Sequence, residues 1–288
     1  MSASKFNASR LKSPEPRATQ TGCRQWLALL SLVTMSHTPL YTPLYTPLYT
    51  PLSKLPLFDP RTVPVVGVDG HLPAIAPAQL TPQALQARFQ NPPIWTPEVV
   101  REPIFTERQP QQAAVLIALV MRGPDRQIPH LLLTQRAAHM KTHSGQVAFP
   151  GGKLDPQDAS LQAAALREAQ EEVGLHPRHV QVLGELPVYL TGTAYHVTPV
   201  VALVSDDLAL APNADEVADV FEVPLAFLMN PAHHRRHHFE TNGVMRQWFS
   251  MPYPEQRLAG QGESEVVERF IWGATAGMLR NFYRFLAA

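Results

Sequence analysis

The chain has 288 residues and balances 24 lysines and arginines against 24 aspartates and glutamates, so its formal net charge is zero. That balance argues against a protein that binds nucleic acid through its overall charge. One cysteine, Cys23, excludes an internal disulfide framework, and no apolar run approaches the 18 residues typical of a membrane-spanning helix.

The charge is distributed unevenly along the chain. Through Lys54 there are six basic residues and one acidic residue, whereas the rest of the chain carries 18 basic and 23 acidic residues. The zero is therefore the sum of a basic leader and an acidic body.

Residues 1–54 are predicted to be a disordered leader of low complexity. Thr38 to Leu52 repeats Thr-Pro-Leu-Tyr, and a proline at every fourth position is incompatible with a helix or a strand ladder. The apolar run Trp26 to Met35 has three interpretations: a signal-peptide core, a transit peptide or a leader without a structural role. We favour the last, and we expect the protein to be cytoplasmic.

Residues 55–112 are predicted to form an N-terminal extension that packs on the main domain. Thr81 followed by Pro82 is typical of a helix start, with a capping hydroxyl and a proline at the first helical position. The prolines after Asn91 end this short helix.

Residues 113–288 alternate between strand and helix patterns. The apolar run Ala113 to Met121 predicts a strand buried on both faces. Further strands are predicted at His130 to Thr134, Val180 to Leu190 and Val197 to Val204, with helices at Ser160 to Val173 and Glu268 to Leu286. Strands with helices on both sides predict an α/β sandwich.

An acidic helix is the most informative segment. Glu168, Glu171 and Glu172 stand at i, i+3 and i+4, so their carboxylates share one helical face. Such a cluster fits Mg²⁺ or Mn²⁺, although three glutamates alone are more often a solvated face. The Gly151-Gly152 turn before the helix favours the metal, because glycines let the backbone approach an ion or a phosphate.

The segment from Arg167 to Leu175 (REAQEEVGL) resembles the second half of the Nudix box, R-E-U-x-E-E-x-G-U. The first half departs from that pattern. Gly152 and Asp158 keep the mutual spacing of the box glycine and its acid, but one extra residue separates them from Arg167, and Asp stands where Glu is usual.

A second motif resembles the signature that precedes the box in the coenzyme A diphosphatases of the Nudix superfamily, L-L-T-x-R-[SA]-x3-R-x3-G-x3-F-P-G-G. It runs from Leu132 to Gly152, and Lys141 replaces its second arginine. Lysine keeps the charge but lacks the bidentate fork. The resemblance implies a Nudix-type α/β/α sandwich with a mixed β-sheet over residues 113–288.

The resemblance also implies an enzyme that hydrolyses the diphosphate bond of coenzyme A, giving 3′,5′-ADP and 4′-phosphopantetheine. Two alternatives remain. One is a Nudix hydrolase of another nucleoside diphosphate derivative, such as ADP-ribose, and the other is a non-catalytic, nucleotide-binding regulator. The only partner expected is a small-molecule substrate, without nucleic acid or membrane, and the oligomeric state is left open.

Site roles follow from this resemblance. The metal, Mg²⁺ or Mn²⁺, is expected to bind Glu168 and Glu172, with Glu171 and the Gly152 carbonyl as further ligands. Arg167 is expected to orient the glutamates. The residues expected to contact substrate are Arg136, Lys141, Gly145 and Gly151.

The general base is left open between Glu172, Glu171 and Glu216. Glu216 lies in a loop-like stretch, and its alternative interpretation is an acid at a helix N-terminus. A run of histidines and arginines, His233 to His238, is interpreted as an exposed basic loop rather than a zinc site, because no carboxylate or cysteine accompanies it.

Overall fold

In a computed structural model the residues described are 58–103, 106, 108–140, 145–241, 243–258 and 264–288. The predicted leader and Lys141 lie outside these ranges. All described residues belong to one compact unit.

The described residues form four α-helices and twelve strands. The helices are α1 (Pro82–Gln90), α2 (Leu161–Val173), α3 (Leu225–Leu228) and α4 (Gly273–Ala287). The strands are β1 (Val65–Val68), β2 (Gln111–Arg122), β3 (Ile128–Arg136), β4 (Val147–Ala148), β5 (Gly151–Lys153), β6 (Val180–Glu185), β7 (Tyr189–Leu190), β8 (Tyr195–Val204), β9 (Val217–Pro224), β10 (Arg235–Thr241), β11 (Val244–Leu258) and β12 (Ser264–Trp272).

The larger sheet is mixed, as predicted. Its main path is β4-β3-β2-β8-β6, and β5, β7 and β9 pair with β2, β8 and β3 respectively. The central pair β2–β8 is parallel, whereas β2 pairs antiparallel with β3 and with β5. This arrangement places the short strand β5 beside the start of β2.

Strand β2 is buried on both faces, which explains its unbroken apolar run. Alternate residues, such as Leu116 and Ala118, join the cluster beneath α2. Their neighbours Ile117 and Leu119 join a second cluster that includes α4 and part of the other sheet. Because side chains alternate across a strand, both faces of β2 must be apolar for this to happen.

A second, four-stranded antiparallel sheet has the order β1-β10-β11-β12. Sequence patterns did not predict it. The prediction of an exposed basic loop at His233 to His238 is wrong, because Arg235 opens β10. His234 and His237 are buried, and their ring nitrogens contact the Leu228 carbonyl at 2.7 Å and the Ser250 hydroxyl at 2.8 Å.

The last helix begins later than predicted. Glu268 to Trp272 belong to β12, which pairs with β11, and α4 starts only at Gly273. Two adjacent apolar residues, Phe270 and Ile271, fit a helical face equally well, so the pattern alone was ambiguous. Gly273 has φ of 62°, a left-handed value that separates the strand from the helix.

The N-terminal extension packs against α4. Helix α1 has the predicted cap, in which the Thr81 hydroxyl accepts a hydrogen bond from the Ala84 N–H. The ring of Phe89 on α1 lies 4.8 Å from that of Phe285 and 6.5 Å from that of Phe282. Among the described residues, no helix combines the length and the apolarity needed to cross a membrane.

We expect Phe282→Ala to lower the free energy of unfolding by about 3–5 kcal/mol, because it leaves a cavity between α1 and α4. Phe282 is fully buried. Urea unfolding of the variant and the parent protein measures the difference. Val266→Ala, at a side chain that is 63% exposed, is the control and is expected to change the value by less than about 0.5 kcal/mol. Equal effects of the two substitutions would contradict the packing described.

Candidate active site

Helix α2 has well-defined ends that fix the position of its glutamates. The Ser160 hydroxyl accepts from the Ala163 N–H at the start, and Gly174 adopts a left-handed conformation at the end. One face of the helix is buried on the larger sheet through Ala164, Ala165 and Ala169. The glutamates therefore project along the edge of that interface, towards β5.

Arg167 links this helix to the turn that precedes it. Its guanidinium donates to both carboxylate oxygens of Asp158 at 3.0 and 2.9 Å. Its Nη1 also donates to Glu168 and to Glu171, each at 3.0 Å. The hydrogen bonds that Arg167 donates to Asp158 lower the pKa of Asp158 and raise that of Arg167.

Glu172 is the most deeply buried carboxylate of the cluster, with only 5% of its side chain exposed. Its Oε2 accepts from the Gly151 N–H at 3.2 Å, and its Oε1 lies 3.6 Å from Nη1 of Arg136. Burial raises the pKa of Glu172 to about 7. The Gly151 N–H and Arg136 oppose that rise, and the charges of Glu168 and Glu216 add to it.

Glu168 lies against the backbone of Gly152. A Cβ at position 152 would overlap the Glu168 carboxyl group, so glycine is required for this close approach. Burial raises the pKa of Glu168, although Arg167 opposes the shift. Two carboxyl groups with raised pKa values, those of Glu168 and Glu172, therefore lie beside the Gly151-Gly152 turn.

Glu171 and Glu216 differ in their surroundings. Glu171 is 58% exposed and forms an i,i+4 ion pair with Arg167. Glu216 is half-buried in a turn, and β9 begins at the next residue, so the alternative interpretation of Glu216 as a helix N-terminal acid is wrong. Its charge raises the pKa of both Glu168 and Glu172, which places it within electrostatic range of the cluster.

The cluster provides some, but not all, of the ligands that a divalent cation needs. Within the described ranges, no three His, Cys, Asp or Glu side chains converge into a complete metal site. Glu172 is buried, Glu168 is half-buried, and the carboxyl groups of both adjoin the Gly151-Gly152 turn. Mg²⁺ commonly takes one or two carboxylates and completes its shell with water and substrate phosphates, so the residues present suit it.

The expected substrate contacts are distributed around this cluster. Arg136 lies beside Glu172, and its buried Nε has no hydrogen-bond partner. Gly151 donates to Glu172, and Gly145 has φ of 67° in the loop that returns to Arg136. Lys141, the remaining expected contact, lies outside the described residues.

A cavity of about 770 Å³ opens beside the Gly151-Gly152 turn, between the two sheets. Arg136, Gly151, Gly152 and Lys153 belong to its lining, whereas the carboxylates of α2 do not. The cavity and the acidic cluster therefore meet at the glycine turn and at Arg136. Its volume suits a nucleotide-sized ligand.

Two site residues were not predicted from the sequence. Asp158 was noted only as a displaced motif position, but it is the bidentate partner of Arg167. The Lys153 ammonium, 5.9 Å from the centre of the Tyr195 ring, lines the cavity. The position of Lys153 directly after the glycine turn was the available signal for it.

Comparisons with known proteins identify relatives of this chain. Residues 110–250 match the model of the NUDIX domain. The uncharacterized Nudix hydrolases NudL of Shigella flexneri and of Escherichia coli O1:K1 are each 42% identical over 206 residues, which cover 70% of this chain and 93% of theirs. A solved structure of an Ap4A hydrolase from C. elegans is 20% identical in sequence, and the match has a TM-score of 0.34. It covers 42% of this chain and 85% of that chain.

We expect Gly152→Ala to weaken Mn²⁺ binding at least about tenfold, because the added Cβ displaces the Glu168 carboxyl. Isothermal titration with Mn²⁺ measures the affinity. Gly67→Ala is the matched control, since a Cβ at Gly67 meets nothing within 4 Å. Unchanged Mn²⁺ affinity in Gly152→Ala would contradict the assignment of Glu168 as a metal ligand.

Glu172 should make stability depend on pH in the metal-free protein. Its pKa is raised from 4.5 to about 7, so folding disfavours its ionised form. Its contribution to stability is present at low pH and is lost as the pH rises from about 4.5 to about 7. The free energy of unfolding of Glu172→Gln, relative to that of the parent protein, should therefore rise by about 3 kcal/mol across this pH window. Urea unfolding in EDTA at several pH values tests this, and a pH-independent difference would contradict it.

Proposed function

Because this chain belongs to the Nudix hydrolase family, we propose that it hydrolyses the diphosphate bond of coenzyme A or its derivatives. The products are 3′,5′-ADP and 4′-phosphopantetheine, or the acyl form of the latter. Water adds to one phosphorus atom, the bond from that phosphorus to the bridging oxygen breaks, and the proton of the water passes to a base of the protein.

One observation carries the proposal: the buried carboxylate of Glu172 and the half-buried carboxylate of Glu168 adjoin a glycine turn and an arginine that line a nucleotide-sized cavity. The signature between Leu132 and Gly152 supports coenzyme A as the substrate, because it resembles the one that marks coenzyme A diphosphatases. The intact acidic cluster argues against a regulator without catalysis.

We infer that Glu168 and Glu172 hold Mg²⁺ or Mn²⁺, with Glu171 and the Gly152 carbonyl as further donors. When bound, such a cation neutralises charge on the diphosphate and lowers the pKa of a water molecule. Arg167 keeps Glu168 and Glu171 in place through its Nη1. Arg136 and Gly151 face the same cluster and are assigned to the substrate phosphates, together with Lys141 and Gly145.

Among the candidate bases we favour Glu216. Glu171 is bound to Arg167 and largely exposed, and Glu172 is enclosed by Gly151 and Arg136. Glu216 forms no ion pair with a described cation, and it lies on a turn within electrostatic range of both Glu168 and Glu172. A carboxylate in that position can accept a proton from the attacking water. Glu171 and Glu172 are the alternatives.

A substrate panel tests the function directly. We expect kcat/KM for coenzyme A with Mg²⁺ or Mn²⁺ to exceed that for ADP-ribose and for nucleoside triphosphates, with 3′,5′-ADP released. Turnover should stop in EDTA. A clear preference for ADP-ribose would overturn the coenzyme A assignment while leaving a Nudix hydrolase.

Variants test the assigned residues. Glu168→Gln and Glu172→Gln should fold and lose at least about a hundredfold in kcat, because each removes one charge from the metal site. Glu216→Gln should lower kcat by about 10²–10⁴-fold. Glu265→Gln, on the exposed start of β12, is the control. Near-native turnover of Glu168→Gln or of Glu172→Gln would contradict the metal assignment.

The cytoplasmic location and the absence of nucleic-acid or membrane partners stay predictions.

A further inference from the structure

One wall of the cavity is built by the N-terminal extension. Residues 98–102, here called the strap, run beside β7 and line the cavity throughout. The Leu190 N–H donates to the Val100 carbonyl at 3.0 Å, and the Glu102 N–H donates to the Leu190 carbonyl at 2.8 Å. The strap therefore extends the larger sheet by one short parallel segment.

Side chains clamp the strap at both ends. Val99 exchanges two hydrogen bonds with the Asn281 side chain, at 3.0 and 2.7 Å. Before it, the Glu98 carboxylate accepts from Arg280 of α4 at 2.7 Å and from Arg236 of β10 at 2.8 Å. These charged hydrogen bonds join the strap to both the helix and the second sheet.

At its other end, the strap is bound to the turn between β7 and β8. The Glu102 carboxylate accepts from the Tyr189 hydroxyl at 3.1 Å and from the Gly192 N–H at 3.0 Å. Within this turn Ala194 has φ of 63°, an uncommon value for a residue with a Cβ. The hydroxyls of Thr191 and Thr193, which line the cavity, lie 3.0 Å apart.

Two arginines of this region face the cavity without a carboxylate partner. Arg101 on the strap and Arg108 just before β2 both belong to the cavity lining and both are exposed. Neither guanidinium forms an ion pair or a hydrogen bond to any residue within the described ranges. By contrast, Arg236 in the same lining is bound to Asp69 and to Glu98. Cations without partners in the lining of a cavity are suited to an anionic ligand.

We infer that Arg101 and Arg108 bind a phosphomonoester of the substrate, separate from the diphosphate that is cleaved. This inference rests on the proposed function. The diphosphate is assigned to the glycine turn and Arg136, which leaves Arg101 on the strap and Arg108 before β2 for another anion. In coenzyme A the only other phosphate is the 3′-phosphate of the ribose. Guanidinium groups pair well with such a dianion because their donors match two of its oxygens.

The test compares coenzyme A with 3′-dephospho-coenzyme A as substrates. For the double variant Arg101→Ala with Arg108→Ala, we expect kcat/KM for coenzyme A to fall about tenfold to a hundredfold. The value for 3′-dephospho-coenzyme A should stay within about twofold, and the melting temperature should not change. The Arg→Lys versions of both substitutions should recover part of the loss, because they retain charge. Arg178→Ala, at an exposed arginine outside the cavity lining, is the control.

Calorimetry with 3′,5′-ADP and 5′-AMP gives a readout that does not need turnover. The parent protein should bind 3′,5′-ADP at least about tenfold more tightly, and the double variant should lose this preference. Two outcomes would overturn the inference and leave the proposed function intact: an equal fall in kcat/KM for both substrates, or a double variant that still binds 3′,5′-ADP more tightly than 5′-AMP. If the parent protein prefers 3′,5′-ADP but does not hydrolyse coenzyme A, the proposed function is overturned and the phosphomonoester site is retained.

Discussion

The acidic cluster depends on the ion pairs of Arg167. Three glutamates on one helical turn repel one another, at a cost of roughly 0.2–0.5 kcal/mol for each pair. Arg167 offsets this repulsion on one side, where it binds Glu168 and Glu171, and it is itself held by both oxygens of Asp158. On the opposite side of the cluster, Glu172 has only the Gly151 N–H and a 3.6 Å contact with Arg136 to offset its burial. A bound cation would add the favourable interaction that its ionised form lacks.

The close approach of the backbone to the glutamates is the second requirement of the site. Buried alanines bring α2 close to the larger sheet, and the absence of a side chain at Gly152 lets Glu168 reach the turn. The same turn borders the cavity that the second sheet and the strap enclose. The helix thus supplies the carboxylates, whereas the sheet, the extension and α4 shape the space for a ligand. Neither part defines a substrate alone.

The sequence predicted the elements that carry a strong local signal. The apolar run of β2, the cap of α1 and the spacing of the three glutamates can each be read from residues that are close together in the sequence. The second sheet was missed although β10 pairs with β11 and β11 with β12, strands that follow one another along the chain, because residues such as Arg236 and His237 look like a polar loop in isolation. The start of α4 was missed because Phe270 and Ile271 fit either structure.

The same distinction applies to the site. The pairing of Asp158 with Arg167 spans a turn whose path the motif did not specify, since one extra residue lies within it. The roles of Glu98 and Arg280 required knowledge of which surfaces meet, because these residues are far apart in sequence and are joined by a 2.7 Å hydrogen bond. Local patterns therefore indicated the chemistry of the helix, and tertiary contacts determined the wall of the cavity.

The parallel pairing of β2 with β8 also bears on the order of folding. Gln111 pairs with Tyr195, and β3, β5 and α2 all lie within the loop that this pairing closes. Contacts between distant residues form late, because the chain first loses the entropy of closing that loop. Helix α2 and its capping bonds are local and do not have to wait for them. During folding the glutamates can therefore share a helical face before the cavity wall exists, so acidic character precedes ligand selectivity.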